Sequence, residues 1–187
     1  MGRVTRVMPE ELGPVDRALY ERAGSYGSFG SLLGAMANRP PVMRHTFGLL
    51  LELADEAVLP KRYLELALVT VSKLNECTYC VSHHTPKLEI AGVSAGAAMN
   101  ILDYENQPEF DEVDRLVIEY ARLVTEQANR VNDAVFERLR EHFDDAQLTE
   151  LTWRIALCGA FNRFNDVLQN DIEPDVPVID AHREDAA

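Results

Sequence analysis

The hydrophobic positions along the chain recur with the period of an α-helix, and no stretch alternates as a half-buried β-strand does. Between residues 111 and 130 the apolar side chains return every three or four positions along one side, as in an amphipathic helix. Between residues 61 and 74 they occupy almost the whole circumference, which is typical of a helix buried inside a protein. The pattern predicts helices over residues 14–22, 29–38, 42–58, 61–74, 76 or 77 to 92, 94–103, 111–130, 132–143 and 147–168.

The connections between these helices contain turn residues but no long linker, and the chain shows no internal repeat. Gly92 is expected to end the helix before it, since glycine adopts the left-handed backbone of a helix end without strain. Gly24, Gly27 and Gly30 follow no strand and lack a Gly-Lys-Ser/Thr sequence, so they do not predict a phosphate-binding loop. The sequence therefore predicts an all-α fold, a single-domain helical bundle over residues 1–170.

The composition changes after residue 170 and excludes some partners for the whole chain. Residues 171–187 contain six acidic residues, two prolines and one arginine, so we expect an extended arm or a disordered end. The chain has 18 Lys+Arg against 31 Asp+Glu, a net charge of −13, which repels nucleic-acid phosphates and anionic lipids. No apolar stretch approaches the roughly 18 residues of a membrane span. We therefore expect neither nucleic acid nor a membrane as a partner.

The chain contains three cysteines, an odd number that does not make a disulfide framework. The N-terminal residues show no secretory signal, so the expected compartment is the cytoplasm, where thiols are kept reduced. In that setting a close pair of cysteines is catalytic or metal-binding more often than structural. Such a pair occurs in Cys77-Thr78-Tyr79-Cys80, and His84 follows four residues later.

Cys77, Cys80 and His84 share one face if this segment is helical, within an arc of about 60°. The positive end of a helix stabilises a thiolate, and a neutral imidazole accepts a thiol proton. This combination favours thiol–disulfide exchange or attack on a weak O–O bond. Two other interpretations stay open. One is a pair of small buried residues beside a solvated histidine, and the other is a zinc site with His84 or His83 as third ligand.

Two further residues, Cys158 and Glu65, each allow a structural or a functional interpretation beside this motif. Cys158 lies in an apolar helical stretch and is interpreted as a core residue. Glu65 lies on the helix that is apolar almost all round, twelve positions before the first cysteine. It is either a solvated glutamate paired with Arg62 or Lys61, or a carboxylate that orients His84 and raises its basicity.

The order of Glu65, eleven residues, Cys77-x-x-Cys80, three residues and His84 resembles the alkylhydroperoxidase D group of the carboxymuconolactone decarboxylase-like superfamily. All four positions are filled at the spacing of that group. The resemblance implies that Cys80 attacks a hydroperoxide and that Cys77 then closes a disulfide on the resulting sulfenic acid. It also implies that Glu65 and His84 form a proton relay.

The likeness has its core at residues 61–92 and extends more loosely over residues 40–174, where residues 162–166 are similar to longer, peroxidase-related members. It implies an all-α fold that assembles as a homo-trimer or homo-hexamer and acts on a small hydroperoxide. It further implies a dithiol reductant, either a lipoylated or a thioredoxin-like protein, and no metal or organic cofactor. The apolar surfaces of the predicted helices over residues 61–74 and 147–168 also favour an oligomer.

Two positions depart from the family pattern. The founding enzyme has a histidine directly before the second cysteine, whereas this chain has Tyr79, which is therefore a candidate relay residue. Pro86 predicts either a kink in the cysteine helix or a new helix capped by Thr85. Either event is expected to turn His84 away from the sulfurs.

Other functions remain as alternatives at this point. A lyase like the lactone decarboxylases of the superfamily is one, although those members generally lack the cysteine pair. A redox-sensing module that forms the disulfide without consuming peroxide is another. The start of the helix favours Cys77 as the more acidic thiol, while the resemblance assigns the attack to Cys80. We adopt the second assignment because His84 lies one helical turn from Cys80.

Overall fold

The computed structural model describes residues 2–182, and this part of the chain contains helices and connections but no strand. The predicted all-α fold class is confirmed. Within the same range, no helix combines the length and apolar content needed to cross a membrane. The α-helices, numbered in chain order, are α1 Pro14–Ala23, α2 Gly30–Ala37, α3 Pro40–Glu56, α4 Lys61–Leu74, α5 Thr78–Ile90, α6 Ala95–Met99, α7 Glu112–Gln127, α8 Asp133–Arg140 and α9 Asp145–Leu168. Short 3-10 helices lie at Pro9–Glu11, Ile101–Asn106 and Ala128–Arg130.

The helix ends have local causes in the sequence. Gly92 follows α5 with a φ of 91°, a conformation that a side chain would strain. The amide of Val93 then donates to the carbonyl of Leu88 at 3.3 Å, which closes the end of the helix as predicted. α9 begins two residues before the predicted position 147, because Asp144 caps it by accepting a hydrogen bond from the amide of Gln147 at 2.8 Å.

Helix α4 is the centre of the fold and packs against α5, α7 and α9. Every residue from Glu65 to Lys73 is buried, which explains why this helix is apolar almost all round. Its apolar surface is covered within a single chain, so the expectation that α4 supplies an oligomer surface is wrong. α9 differs, because its Trp153 is 50% exposed.

The buried side chains form two clusters that meet at the cysteine motif. The larger cluster is built around α4, α7 and α9. The smaller cluster is formed by α1, α2 and α3 together with the start of α5, and it includes Cys77, Tyr79 and Cys80. The cysteine pair therefore lies where the N-terminal helices pack against the rest of the bundle.

An arm follows α9 and lies against α5. Over residues 169–182 it has no regular secondary structure, and the amide of Ile179 donates to Ser82 Oγ on α5 at 2.9 Å. Glu173 of the arm is buried. The remainder of the acidic tail, residues 183–187, lies outside the described residues.

Glu173 connects the arm to α2 and α5. Its carboxylate accepts hydrogen bonds from the amide of Ser31 at 2.7 Å and from the hydroxyl of Tyr79 at 3.0 Å. A third contact joins it to His83 Nε2 at 2.7 Å. Burial alone would raise the pKa of Glu173, but the hydrogen bonds from His83 and Ser31 outweigh burial and hold this pKa below its ordinary value. The ring of His83 is stacked between Phe29 and Tyr79.

The Glu173→Gln variant tests how much this anchor contributes to stability. The change keeps the shape of the side chain and removes its charge, so we expect the free energy of unfolding to fall by about 1–3 kcal/mol at neutral pH. A carboxylate with a depressed pKa stabilises the fold above its ordinary value of 4.5, and this stabilisation is lost as the pH falls below that value. The difference between the variant and the wild type should therefore shrink in acid. Urea unfolding at neutral and acidic pH measures both effects.

Asp175→Asn is the matched control, because Asp175 is an exposed carboxylate on the same arm that accepts one hydrogen bond, from Ser28. We expect little change in stability for this variant. An equal loss in both variants, or a loss in Glu173→Gln that persists unchanged in acid, would contradict the anchoring role.

Candidate active site

A tight turn between α4 and α5 positions the first cysteine. Glu76 has a φ of 56°, a left-handed conformation that costs a residue with a side chain about 1–2 kcal/mol. The amide of Cys77 then donates to the carbonyl of Ser72 on α4 at 3.0 Å. Cys77 is the N-cap of α5 and has a non-helical backbone. Cys80 and His84 therefore lie on a common face of α5, as predicted, whereas Cys77 lies in the turn before the helix.

The two sulfurs of the motif differ in their hydrogen bonds. The neighbouring Cys80, together with burial, raises the pKa of the Cys77 thiol, so Cys77 retains its proton. Cys80 also receives a hydrogen bond from Asn165 Nδ2 at 3.5 Å. The Nδ2 atom of Asn170 donates a hydrogen bond to Asn165 Oδ1 at 2.8 Å, which fixes the orientation of the Asn165 amide. The Asn165 amide is thus held in place as a hydrogen-bond donor to the Cys80 sulfur.

Glu65 and His84 form a buried pair between α4 and α5. Glu65 Oε2 lies 2.8 Å from His84 Nδ1, and the glutamate is only 7% exposed. Burial lowers the pKa of His84, although the charge of Glu65 opposes this shift, so the ring is neutral at neutral pH. With Nδ1–H donated to Glu65, Nε2 is the basic nitrogen. The interpretation of Glu65 as a solvated residue is wrong, and Arg62 pairs with Asp114 at 2.6 Å instead.

Pro86 lies inside α5 without ending it. The helix is continuous from Thr78 to Ile90, so the predicted new helix starting at Thr85 is wrong. Proline removes one helical hydrogen bond, but α5 is packed against α4, α6 and α9, and this packing holds the helix together. His84 accordingly keeps its contact with Glu65 and is not turned away from the sulfurs.

The side chains of Tyr79 and His83 make their hydrogen bonds on a different side of α5 from His84. The hydroxyl of Tyr79 donates to Glu173, and burial raises the pKa of Tyr79, so the phenol keeps its proton. Both ring nitrogens of His83 face oxygen acceptors, the Tyr79 carbonyl at 2.6 Å and Glu173 at 2.7 Å. In the described part of the chain, the Tyr79 hydroxyl has no hydrogen bond to His84 or Cys80. These two residues position the helix, and the relay role of Tyr79 stays a prediction.

Cys80 and His84 face a common cavity of about 40 Å³, which has room for a few water-sized molecules. Its walls are mainly apolar and come from α2, α3, α9 and the connection before α2. Cys158 also lines it, and burial raises the pKa of this core cysteine to about 12. The lining residues are Tyr26, Phe29, Leu32, Phe47, Leu50, Leu68, Tyr79, Cys80, His84, Arg154, Leu157, Cys158, Phe161 and Asn165.

The zinc interpretation finds no ligand set in this geometry. Within residues 2–182, no three His, Cys, Asp or Glu side chains are grouped so as to hold a metal ion. The two histidines considered as third ligand each have a carboxylate partner, Glu173 for His83 at 2.7 Å and Glu65 for His84 at 2.8 Å.

Four residues of the site were not identified from the sequence: Tyr26, Arg154, Asn165 and Glu173. Asn165 lies in the segment 162–166, whose similarity to peroxidase-related proteins was the one available signal. The other three lie far from the cysteine motif along the chain, and no local pattern marks them. Their place in the site follows from tertiary packing alone.

Comparisons with known sequences locate the family signal in the first half of the chain. Residues 40–105 match the model of the carboxymuconolactone decarboxylase family. The uncharacterized protein YnjA of Escherichia coli (strain K12) is 32% identical over 98 residues, which are 52% of this chain and 54% of YnjA. The chain thus spans about half the length of that relative. The uncharacterized protein YdfG of Bacillus subtilis (strain 168) is 24% identical over 107 residues, 57% of this chain and 73% of YdfG.

Comparisons with solved structures cover nearly the whole chain. The alkylhydroperoxidase AhpD core of an uncharacterized peroxidase-related protein from Ralstonia eutropha JMP134 has a TM-score of 0.74 at 23% identity, over 93% of both chains. A complex of 2,3,4-tribromopyrrole with a cysteine-to-alanine variant of the debrominase Bmp8 has a TM-score of 0.73 at 19% identity, over 91% of both chains. At these identities the likeness shows the fold. The chain therefore has the fold of the alkylhydroperoxidase AhpD core, and its residues 40–105 are similar to the carboxymuconolactone decarboxylase family.

Proposed function

We propose that this chain is a thiol peroxidase that reduces a small hydroperoxide at Cys80 and uses Cys77 as the resolving thiol. The observation that carries the proposal is the arrangement of Cys80, His84 and Glu65. Cys80 and His84 face the same cavity. Glu65 Oε2 lies 2.8 Å from Nδ1 of the His84 ring and so orients the imidazole. A base that is oriented in this way is what a buried thiol needs in order to become a nucleophile.

The first step oxidises Cys80. The Nε2 atom of His84 takes the thiol proton, and the Cys80 thiolate attacks the terminal oxygen of the hydroperoxide. The O–O bond breaks, Cys80 becomes a sulfenic acid, and the alkoxide leaves with the proton that His84 carried. The hydrogen bond from Asn165 to the Cys80 sulfur is in place to stabilise the thiolate before the attack.

The second step forms the disulfide. The sulfur of Cys77 attacks the sulfenic sulfur of Cys80, and the departing hydroxide leaves as water with the Cys77 proton. The raised pKa of Cys77 suits this order, because a protonated Cys77 does not compete for the peroxide. Cys77 and Cys80 are close enough to interact directly, and a disulfide needs such proximity.

A dithiol reductant then restores both thiols, and we propose a lipoylated or thioredoxin-like protein for this step. A groove of about 570 Å³ beside the start of α5 includes Glu76 and Asp166 among its walls. Burial raises the pKa of Asp166, and the neighbouring Cys77 opposes this shift. This groove is the candidate docking site for the reductant, beside the turn that contains the fully buried Cys77.

We further propose that the chain assembles as a homo-trimer or homo-hexamer and works in the cytoplasm. With α4 covered inside the chain, α9 is the candidate contact helix, since its Trp153 is half exposed. The compartment follows from the chemistry, because the cycle begins with both cysteines reduced.

Reductive debromination is the second candidate function. It is favoured by the aromatic wall beside Cys80, which includes Phe29, Phe47 and Phe161, together with the fold shared with a debrominase. The net reaction would replace C–Br by C–H, oxidise Cys77 and Cys80 to a disulfide, and release bromide and one proton. A turnover screen with organic hydroperoxides and 2,3,4-tribromopyrrole distinguishes the peroxidase from the debrominase.

The two remaining alternatives differ from both. A redox-sensing module would form the disulfide without turnover, and a lyase would act on a lactone without either thiol.

Substitutions in the motif should divide the roles of its members. Cys80→Ser should abolish peroxide consumption, whereas Cys77→Ser should permit one turnover and leave a trapped sulfenic acid or mixed disulfide on Cys80. His84→Ala should lower the rate by roughly 10² to 10⁴. Glu65→Gln should have a smaller effect, because it acts through His84. Stopped-flow consumption of a small organic hydroperoxide measures all four variants.

Glu89→Gln is the control for Glu65→Gln, since it removes an exposed carboxylate from α5. The double variant of Glu65 and His84 should be no slower than His84→Ala alone, because a missing base cannot be oriented. Single-turnover activity in Cys80→Ser would reverse the roles of the sulfurs. An unchanged rate in His84→Ala would show that the reaction does not use a proton relay through His84.

The pH dependence of the rate should report the buried imidazole. Burial holds the pKa of His84 below its ordinary value of 6.5, so the acidic limb of kcat/KM should lie below that pH. Glu65 opposes this shift, so Glu65→Gln should move the limb to still lower pH while it slows the reaction. A pH–rate profile of the two proteins tests the direction, and a limb that moves upward in the variant would contradict the pairing.

Mild oxidation should join Cys77 to Cys80 and leave Cys158 free. The first two are close enough to interact directly, while Cys158 lies on α9 with its sulfur 3.5 Å from Ser72 Oγ. Peptide mass spectrometry after oxidation with and without alkylation identifies the pair. A crosslink that includes Cys158 would overturn the assignment of the resolving thiol.

A further inference from the structure

Arg154 on α9 is a buried cation without an ion-pair partner. Its side chain is 3% exposed, and its guanidinium donates a hydrogen bond to the hydroxyl of Tyr26, which is neutral. Among the side chains of residues 2–182, no carboxylate oxygen lies within 4.0 Å of it. Burying a charge without a close partner destabilises a fold. The guanidinium donates to a neutral hydroxyl, and Glu150 on the same helix acts on it only from beyond ion-pair distance, so Arg154 has capacity for a further anion.

Arg154 and Tyr26 form the wall between two spaces. Both line the 40 Å³ cavity beside Cys80 and His84, and both line an outer groove of about 460 Å³. Lys87 fixes the backbone of Tyr26, because the Lys87 Nζ donates a hydrogen bond to the Tyr26 carbonyl at 3.1 Å. The Lys87 Nζ also lies 4.7 Å from the centre of the Tyr26 ring. Tyr26 itself belongs to the connection between α1 and α2, outside any helix.

The charges along the outer groove favour an anion at this wall. Three cations line it, Arg154, Lys87 and Lys61. Of its three carboxylates, Asp55 is paired with Arg22, whereas the partner of Glu65 is the neutral His84, which does not cancel a charge. The third is Glu150, which interacts with Arg154 from beyond ion-pair distance. The three cations thus outnumber the two carboxylates that have no cationic partner, in a chain whose net charge is −13.

We infer that Arg154 binds the carboxylate of the substrate, and that the site selects small apolar hydroperoxides that carry an acid group. This inference rests on the proposed peroxidase function. The peroxide end lies at Cys80 and His84, the apolar part lies along the aromatic wall, and the carboxylate replaces the Tyr26 hydroxyl on Arg154. A charged acceptor makes a stronger hydrogen bond with a guanidinium than a neutral hydroxyl does.

Tyr26 acts as the gate in this scheme. The cavity of about 40 Å³ holds only water-sized molecules, whereas organic ligands occupy pockets of roughly 300–1,000 Å³. When the Tyr26 hydroxyl leaves Arg154, the cavity joins the 460 Å³ groove, and the combined space falls in that range. The carboxylate thus widens the path that its own hydroperoxide uses, because it competes for the hydrogen bond that joins the two sides of this wall.

Binding is tested apart from turnover with 4-isopropylbenzoate, which carries the carboxylate but no peroxide. Calorimetric titration of the reduced protein should show at least tenfold tighter binding of this anion than of 4-isopropylbenzamide. Arg154→Met should weaken the anion at least tenfold and remove the preference over the amide. Arg163→Met is the matched control, because Arg163 is an exposed arginine on the same helix that donates to the Gly159 carbonyl, and its affinity should stay within twofold of wild type.

Two further variants keep the test valid if Arg154→Met unfolds. Arg154→Lys keeps the charge without the forked donor and should bind the anion several-fold more weakly than wild type. Tyr26→Phe removes the competing hydroxyl and should bind it as tightly or more tightly. Equal affinities for acid and amide in the wild type, or equal losses in Arg154→Met and Arg163→Met, would overturn the inference.

Kinetics then separate this inference from the proposed function. The ratio of kcat/KM for 4-carboxycumene hydroperoxide over cumene hydroperoxide should be at least ten in the wild type, and Arg154→Met should lower it at least tenfold. A ratio near one in the wild type would overturn the inference while leaving the peroxidase function in place. Anion binding without turnover of either peroxide would refute the peroxidase function and support Arg154 as an anion site.

Discussion

The hydrogen bond between Glu65 and His84 is the interaction on which the arrangement of the site depends, because both groups lie inside a helical core. A buried carboxylate left without a partner would destabilise the fold by several kcal/mol. The pair therefore fixes how α4 and α5 sit against each other, and it does so at the positions that carry the chemistry. It also fixes the imidazole ring, since Nδ1 is engaged by Glu65 at 2.8 Å. The remaining nitrogen is the one available to a thiol in the cavity.

The neighbouring histidine, His83, holds the same helix from another side. Its ring is stacked between Phe29 and Tyr79 and is hydrogen-bonded to Glu173 on the arm. Helix α5 is consequently tied to α4 through one histidine and to the N-terminal helices and the arm through the next. Two adjacent residues of one type thus have separate tasks, because successive positions on a helix differ by about 100° in direction. The position of Cys80 depends on both attachments.

Local pattern in the sequence was sufficient to predict the helices, the glycine that ends α5, and the face shared by Cys80 and His84. It failed where long-range packing decides the outcome. The pattern left two roles open for Glu65, and only the family resemblance assigned it to His84, because a helix that is apolar all round gives no hint of which polar residue has a partner inside the fold. Pro86 predicted a break, yet packing on three sides maintains α5 through the missing hydrogen bond. Arg154 could not be predicted as part of the site, because its neighbour Tyr26 lies 128 positions away in the chain.

The proposed site draws on both the segment that matches the family model and the rest of the chain. Residues 40–105 contain Glu65, Cys77, Cys80 and His84, while much of the cavity that Cys80 and His84 face is lined by side chains from outside this segment, on α9 and around the start of α2. A thiolate in an apolar cavity requires hydrogen-bond donors, and Asn165 on α9 is one of them. The flanking helices therefore influence both the reactivity of Cys80 and the shape of what reaches it. Substitutions in those walls can change the substrate and leave the pairing of Glu65 with His84 intact, because none of the flanking residues takes part in that hydrogen bond.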